Sequence, residues 1–197
     1  MPDLTATPSV LLGVVIALSA VHMVAPDHWV PLAVTSHRNR LEKSRTYLLA
    51  SAIGLGHGVS SAVLSLVIAA VGSLFFPAYY VDLFAVALLL VIGLYIIVKA
   101  TREAKEGRKA ESVSLLVSVI PDPALVPFIL VADGFGVTYT YLMIGAFVVA
   151  AVASLILVVF LATMGLSRAL SRVRPEYVDY LVGLALVLVA VFIYFYG

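Results

Sequence analysis

The chain contains no cysteine. That absence removes disulfides, thiolate metal sites and the chemistry of dithiol redox carriers, and it leaves histidine, carboxylate, methionine, hydroxyl and backbone oxygen as metal ligands. Charge is scarce as well. Lys, Arg, Asp and Glu make up 12% of the 197 residues against 63% hydrophobic, and the formal net charge is +1. Mean hydropathy is +1.14, which predicts an integral membrane protein. A near-neutral chain offers nothing specific to nucleic acid or to acidic substrates. No phosphate loop, nucleotide fingerprint or nucleophile motif occurs, so nothing points to a nucleotide as energy source or partner. The first ten residues hold no Lys or Arg; the basic n-region of a cleaved signal peptide is missing, and the first apolar segment is expected to be retained.

Apolar length is what the chain has in abundance. A spanning helix needs about 20 predominantly apolar residues, and six segments qualify: 8–34, 47–75, 80–98, 113–132, 137–166 and 177–196. Every Lys and Arg falls in one of three connections. Arg38, Arg40, Lys43 and Arg45 occupy the first; Lys99, Arg102, Lys105, Arg108 and Lys109 the second; Arg168, Arg172 and Arg174 the third. They alternate with the uncharged or acidic connections 76–79 and 133–136, so the positive-inside rule places the basic loops in the cytoplasm and both termini outside it, in the cell membrane.

The segments also repeat. Tyr177-Val178-Asp179 opens the sixth segment as Tyr80-Val81-Asp82 opens the third, 97 residues earlier, and Pro121-Asp122 answers Pro26-Asp27 at an offset of 95. Two matches in the same order predict a duplicated three-helix unit: residues 1–98, a basic linker over 99–112, and residues 113–197. Three is odd, so the second copy enters the membrane from the opposite side. The expected architecture is all-α, with six transmembrane helices as two inverted three-helix repeats. Pro26 and Pro31 are expected to break the first helix, and Pro121, Pro123 and Pro127 the fourth. Inverted repeats place substrate between such discontinuous helices, and Asp27 and Asp122 are the equivalent positions here.

All four histidines lie between positions 22 and 57. His22 and His28 flank Asp27 beside the expected break; on an unbroken helix, six positions apart, they would face different ways. Ionisable groups inside a span are costly and generally functional. Imidazole with carboxylate suits Ni, Co and Zn, with Mn less favoured. His57 sits in Gly54-Leu55-Gly56-His57-Gly58-Val59-Ser60-Ser61, where Gly54 and Gly58 have the spacing of a close-packing motif. Close packing would let His57 reach the first helix as ligand or as partner to a ligand. His37 belongs to the basic loop. Met23 is read as core or lipid contact rather than a soft sulfur ligand, Asp82 and Asp179 as caps at helix openings, Asp133 as a cap or part of a vestibule, and the tyrosines at segment ends as an aromatic belt.

His22, four residues, then Asp27-His28 resembles the His-x4-Asp-His signature of the nickel/cobalt transporter family, in its His-x-x-x-Pro-Asp-His form, and Leu55-Gly56-His57 resembles that family's second histidine motif. The resemblance covers roughly residues 19–65. It implies a permease for Ni2+ or Co2+ in which His22, Asp27, His28 and His57 bind the ion in passage, with no prosthetic group. The chain departs from the family in having six segments where the nickel-uptake branch has eight, and in lacking a His-rich cytoplasmic loop.

The leading expectation is therefore a secondary transporter of a divalent transition metal, working by alternating access. Metal binds deprotonated imidazole and carboxylate, so exchange against protons is a natural coupling. Asp122 would serve as gate, proton acceptor or contact from the second half. The rival from another class is an intramembrane zinc hydrolase using the same cluster; the inverted repeat argues against it. Self-association is left open.

Overall fold

Apolar segments satisfy their backbone in hydrocarbon by forming helices. The computed structural model describes residues 6–75, 78–106, 119, 121–166 and 174–196, and among these 93% are helical and none lies in a strand. In chain order the elements are α1 (Ala6–Met23), α2 (Pro26–Arg38), α3 (Lys43–Phe75), α4 (Ala78–Glu106), a 3-10 turn (Pro123–Leu125), α5 (Val126–Gly134), α6 (Val137–Leu161), prolonged by a wide turn over Ala162–Leu166, and α7 (Pro175–Tyr196). Four of them, α3, α4, α6 and α7, are long and apolar enough to cross a membrane; α1 and α2, meeting at 41°, make a fifth if the bent pair is one span. The outward faces are apolar, with Val91, Leu94, Val149, Leu184 and Leu188 all more than half exposed.

Four sequence-predicted spans coincide with α3, α4, α6 and α7. The third ends later than expected: α4 runs on to Glu106, so the basic linker begins as helix. Lys99 and Glu103 pair one turn apart at 4.0 Å, and the Thr101 hydroxyl donates to the Ile97 carbonyl at 2.8 Å. Residues 107–112 of that linker lie outside the described residues.

The fourth predicted span, 113–132, differs most. Residues 113–118 and 120 lie outside the described residues. Val119 is in 3-10 conformation, Asp122 is extended (φ −86°, ψ 115°), and from Pro123 the described residues run as three residues of 3-10 turn and nine of α5. Pro123 explains the extended Asp122, since a residue before proline is pushed out of the α region. The twelve helical residues from Pro123 to Gly134 rise about 20 Å, short of the roughly 30 Å hydrocarbon core. The short helix is tolerated because protein, rather than lipid, surrounds it: Val126 through Ala132 are all buried, packed among Leu11 and Val15 of α1, Leu89 of α4, Met143 of α6 and Leu186 of α7. Pro127 does not break α5. It occupies the second helical position, where its missing N–H would be unpaired in any case.

The long helices pair antiparallel. On α3 and α6, Gly54 lies against Val152, Gly58 against Val148, and the Tyr47 hydroxyl meets that of Thr163 at 3.2 Å. The α4–α7 pair is closed at one end by Lys99 with Asp179 (3.5 Å) and by Tyr180 donating to Thr101 (3.0 Å). Asp179 is the fifth residue of α7, beyond its first turn, so it serves as an ion-pair partner between the two helices rather than as the helix cap expected of it. In the middle of this pair Gly93 and Gly183 face each other so closely that a Cβ on either would fall within 3 Å of the other's carbonyl oxygen. Lipid tails supply no hydrophobic drive between helices, so contacts of this kind, rather than exclusion of water, hold the bundle together.

Candidate metal site

The break between α1 and α2 is built from local chemistry. Pro26 opens α2 at a position that needs no N–H, and Ala25 before it is extended (φ −57°, ψ 135°). Carbonyls released by the interruption find other donors. Val21 receives the N–H of Val24 (3.1 Å), His22 that of Ala25 (3.0 Å), Ala25 that of His28 (3.2 Å), and Val24 the Trp29 indole N–H (3.1 Å). The expected second break, at Pro31, does not occur: α2 continues through it to Arg38. Pro31 removes one backbone bond, and the buried neighbours Trp29 and Leu32 hold the helix regardless. Trp29→Phe, which keeps most of the packing and removes the indole donor, should lower stability by about 1–3 kcal/mol. An unchanged unfolding midpoint in detergent would show that this cap carries no weight.

The bend does what a straight helix could not. His22 in the last turn of α1 and His28 in the first turn of α2 meet with their Nε2 atoms 3.0 Å apart. One nitrogen of the two must carry the shared proton and the other accept it. His57 arrives from α3 with its ring centroid 5.5 Å from His22 and 5.1 Å from His28, backed by the Phe147 ring at 6.4 Å. Both His28 and His57 are buried.

Four i, i+4 pairs of α3 divide its surroundings. Gly54 and Gly58 abut α6; Leu55 and Val59 point outward; Gly56 and Ser60 meet Val119; His57 and Ser61 face the site. The two motif glycines therefore admit α6, and His57 reaches α1 and α2 from another side of the helix than theirs.

Asp122 comes from the opposite half of the chain. Its Oδ1 accepts the Ala124 N–H at 2.8 Å, its own N–H donates to the Ser61 hydroxyl at 2.8 Å, and Oδ2 stands 3.9 Å from His22 Nε2. One ligand atom each from His22, His57 and Asp122 lie within 4.8 Å of one another. Ligands on a tetrahedral ion at about 2.0–2.1 Å sit roughly 3.3 Å apart, so the cluster would draw in modestly around an ion, while the His22–His28 separation already suits one. The other side of Asp122 borders a narrow apolar pocket between Val15, Leu18, Phe128 and Phe147, with room for about one water.

Of the sequence-predicted site residues, the structure brings together His22, His28, His57 and Asp122. The Asp27 side chain lies outside the described residues. Met23 is buried core, as expected, and His37 is exposed at the end of α2. Sequence reasoning missed the roles of Ser60 and Ser61, whose signal was a hydroxyl pair one turn after His57, and of Ser19, whose hydroxyl donates to the Phe147 carbonyl at 3.0 Å and ties α1 to α6. Compared with protein-family models, with characterised proteins and with solved structures, the chain matches none.

Proposed function

We propose that this protein is a secondary transporter of a divalent transition metal, Ni2+ or Co2+ before Zn2+ or Mn2+, which binds the ion between His22, His28, His57 and Asp122 and releases it by alternating access. One observation carries the reading: three imidazoles and a carboxylate, drawn from both halves of the chain, converge where a helix breaks inside an apolar helical bundle. Such a donor set without thiolate suits these borderline ions. The preference for Ni2+ and Co2+ rests on the resemblance of the 22–28 and 55–57 motifs to the nickel/cobalt transporter family, which also supplies Asp27 as a ligand.

Alternation draws support from the pairing of α3 with α6 and of α4 with α7. These are equivalent segments under the 97-residue offset, and antiparallel pairing of equivalents is what two inverted three-helix repeats related by a two-fold axis in the membrane plane would produce. The broken α1–α2 and the abbreviated α5 would then be the discontinuous helices of the two halves, with both termini outside the cytoplasm.

Purified protein in proteoliposomes should accumulate Ni2+ or Co2+, and His22→Ala should reduce the rate by at least about ten-fold, a loss of one of the few ligands. An imposed pH gradient should alter the rate if protons are exchanged for metal. Vesicles that accumulate none of the four ions at any gradient would sink the proposal.

A further inference from the structure

Serines on helices commonly return their hydroxyl to the carbonyl one turn back, and Ser51 and Ser65 do so, to Tyr47 (2.9 Å) and Ser61 (2.7 Å). Ser60 and Ser61 do more. The Ser61 hydroxyl, fully buried, donates to the His57 carbonyl at 2.8 Å and accepts the Asp122 N–H at 2.8 Å. The Ser60 hydroxyl stands 2.8 Å from the Val119 carbonyl and 3.0 Å from that of His57; its single proton favours the shorter contact. Gly56 clears the space beside them, since a Cβ there would lie 3.0 Å from Val119 Cγ1.

We propose that Gly56, Ser60 and Ser61 form a seat on α3 for the segment around Val119 and Asp122, and that Ser61 is a positioning residue of the metal site; this rests on the metal-binding reading above. The chain of contacts is continuous. The His57 carbonyl fixes the Ser61 hydroxyl, Ser61 fixes the Asp122 backbone, and the Ala124 N–H takes Oδ1, which leaves Oδ2 turned toward His22. The carboxylate of the second half is thereby indexed to the imidazole of the first. Lifting this segment from α3 would break both serine contacts and withdraw the carboxylate from the histidines in one movement. Ion binding and the docking of the two halves become a single event.

The test is a thermodynamic cycle on the full chain in detergent, read by Co2+ titration and by the visible absorption of bound Co2+, which reports ligand geometry. Ser61→Ala should weaken Co2+ binding roughly 10- to 100-fold, the range for groups that orient metal ligands, and should alter the Co2+ bands. In an Asp122→Asn background the same change should add less than about two-fold, because residues that act through one another are not additive. Ser60→Ala, which spares the Asp122 contact, should weaken binding by a smaller factor and keeps the idea testable if Ser61→Ala does not fold. Wild-type affinity in Ser61→Ala, or in Ser60→Ala where only that variant folds, or an undiminished loss on top of Asp122→Asn, overturns the seat while the metal site stands. Wild-type protein that binds no Co2+ overturns the metal reading and the seat with it.

Discussion

His57→Gln is expected to lower the affinity for Co2+ or Ni2+ by at least about 100-fold, close to 2.8 kcal/mol. Gln is similar in volume to His, so the packing against Phe147 is largely kept while the imidazole nitrogens are lost. His57 is 1% exposed and stands within 5.5 Å, ring to ring, of both other site histidines. Thermal unfolding separates ligation from packing. An ion that binds only the folded protein stabilises it by about 2.7 kcal/mol at a hundred times its Kd. Wild-type protein should therefore melt later as Co2+ is added, whereas the variant should melt near the metal-free wild-type temperature and gain no more than about 0.4 kcal/mol at the same Co2+ concentration. A variant with the full Co2+-induced shift would remove His57 from the ligand set.

The second large effect is expected at the contact of α4 with α7. A Cβ on Gly183 would lie 2.7 Å from Ile97 Cγ1 and 2.8 Å from the Gly93 carbonyl oxygen. The carbonyl is backbone and cannot swing aside, so α4 and α7 would have to separate. Overpacking costs about 1–3 kcal/mol, against a gain of at most about 1 kcal/mol from the better helix propensity of Ala. Gly183→Ala should thus destabilise the protein by up to about 2 kcal/mol. Gly145→Ala is the control, because a Cβ there meets nothing within 4 Å, and it should be neutral or slightly stabilising. Equal unfolding midpoints for the two variants would mean that α4 and α7 do not approach each other so closely.

Much of this architecture was legible in the sequence, for reasons of period and chemistry. Apolar length marks spanning helices whatever their partners, and Pro26, at the first position of α2, marks where α1 gives way to it, so α3, α4, α6, α7 and a meeting of His22 with His28 across that break could be read from the sequence. Pro31 misled because the cost of an internal proline is weighed against packing, and the burial of Trp29 and Leu32 is not written at position 31. The fourth segment is legible only in part, because residues 113–118 and 120 lie outside the described residues. Its composition suits a span, and within it the sequence did not reveal that Asp122 would be extended before Pro123 or that α5 would be enclosed by α1, α4, α6 and α7. Gly54 and Gly58 announced a close contact but not its partner, and Ser61 looked like one hydroxyl among several. Which neighbour a helix face meets is a property of the assembled bundle, and Asp122, 61 residues along the chain from Ser61, is visible to it only there.

The four-way division of α3 bears on the length of that helix. Membrane thickness constrains a span loosely, since tilt absorbs an extra residue or two. Rotation is less forgiving. One residue inserted upstream of Gly54 would turn the following stretch through about 100°, handing α6 the side now occupied by another pair and carrying His57 out of line with His22 and His28. Small errors of length that the bilayer would forgive are thus converted into errors of phase, which no tilt corrects, and α3 is counted to the residue from its first turn to its histidine.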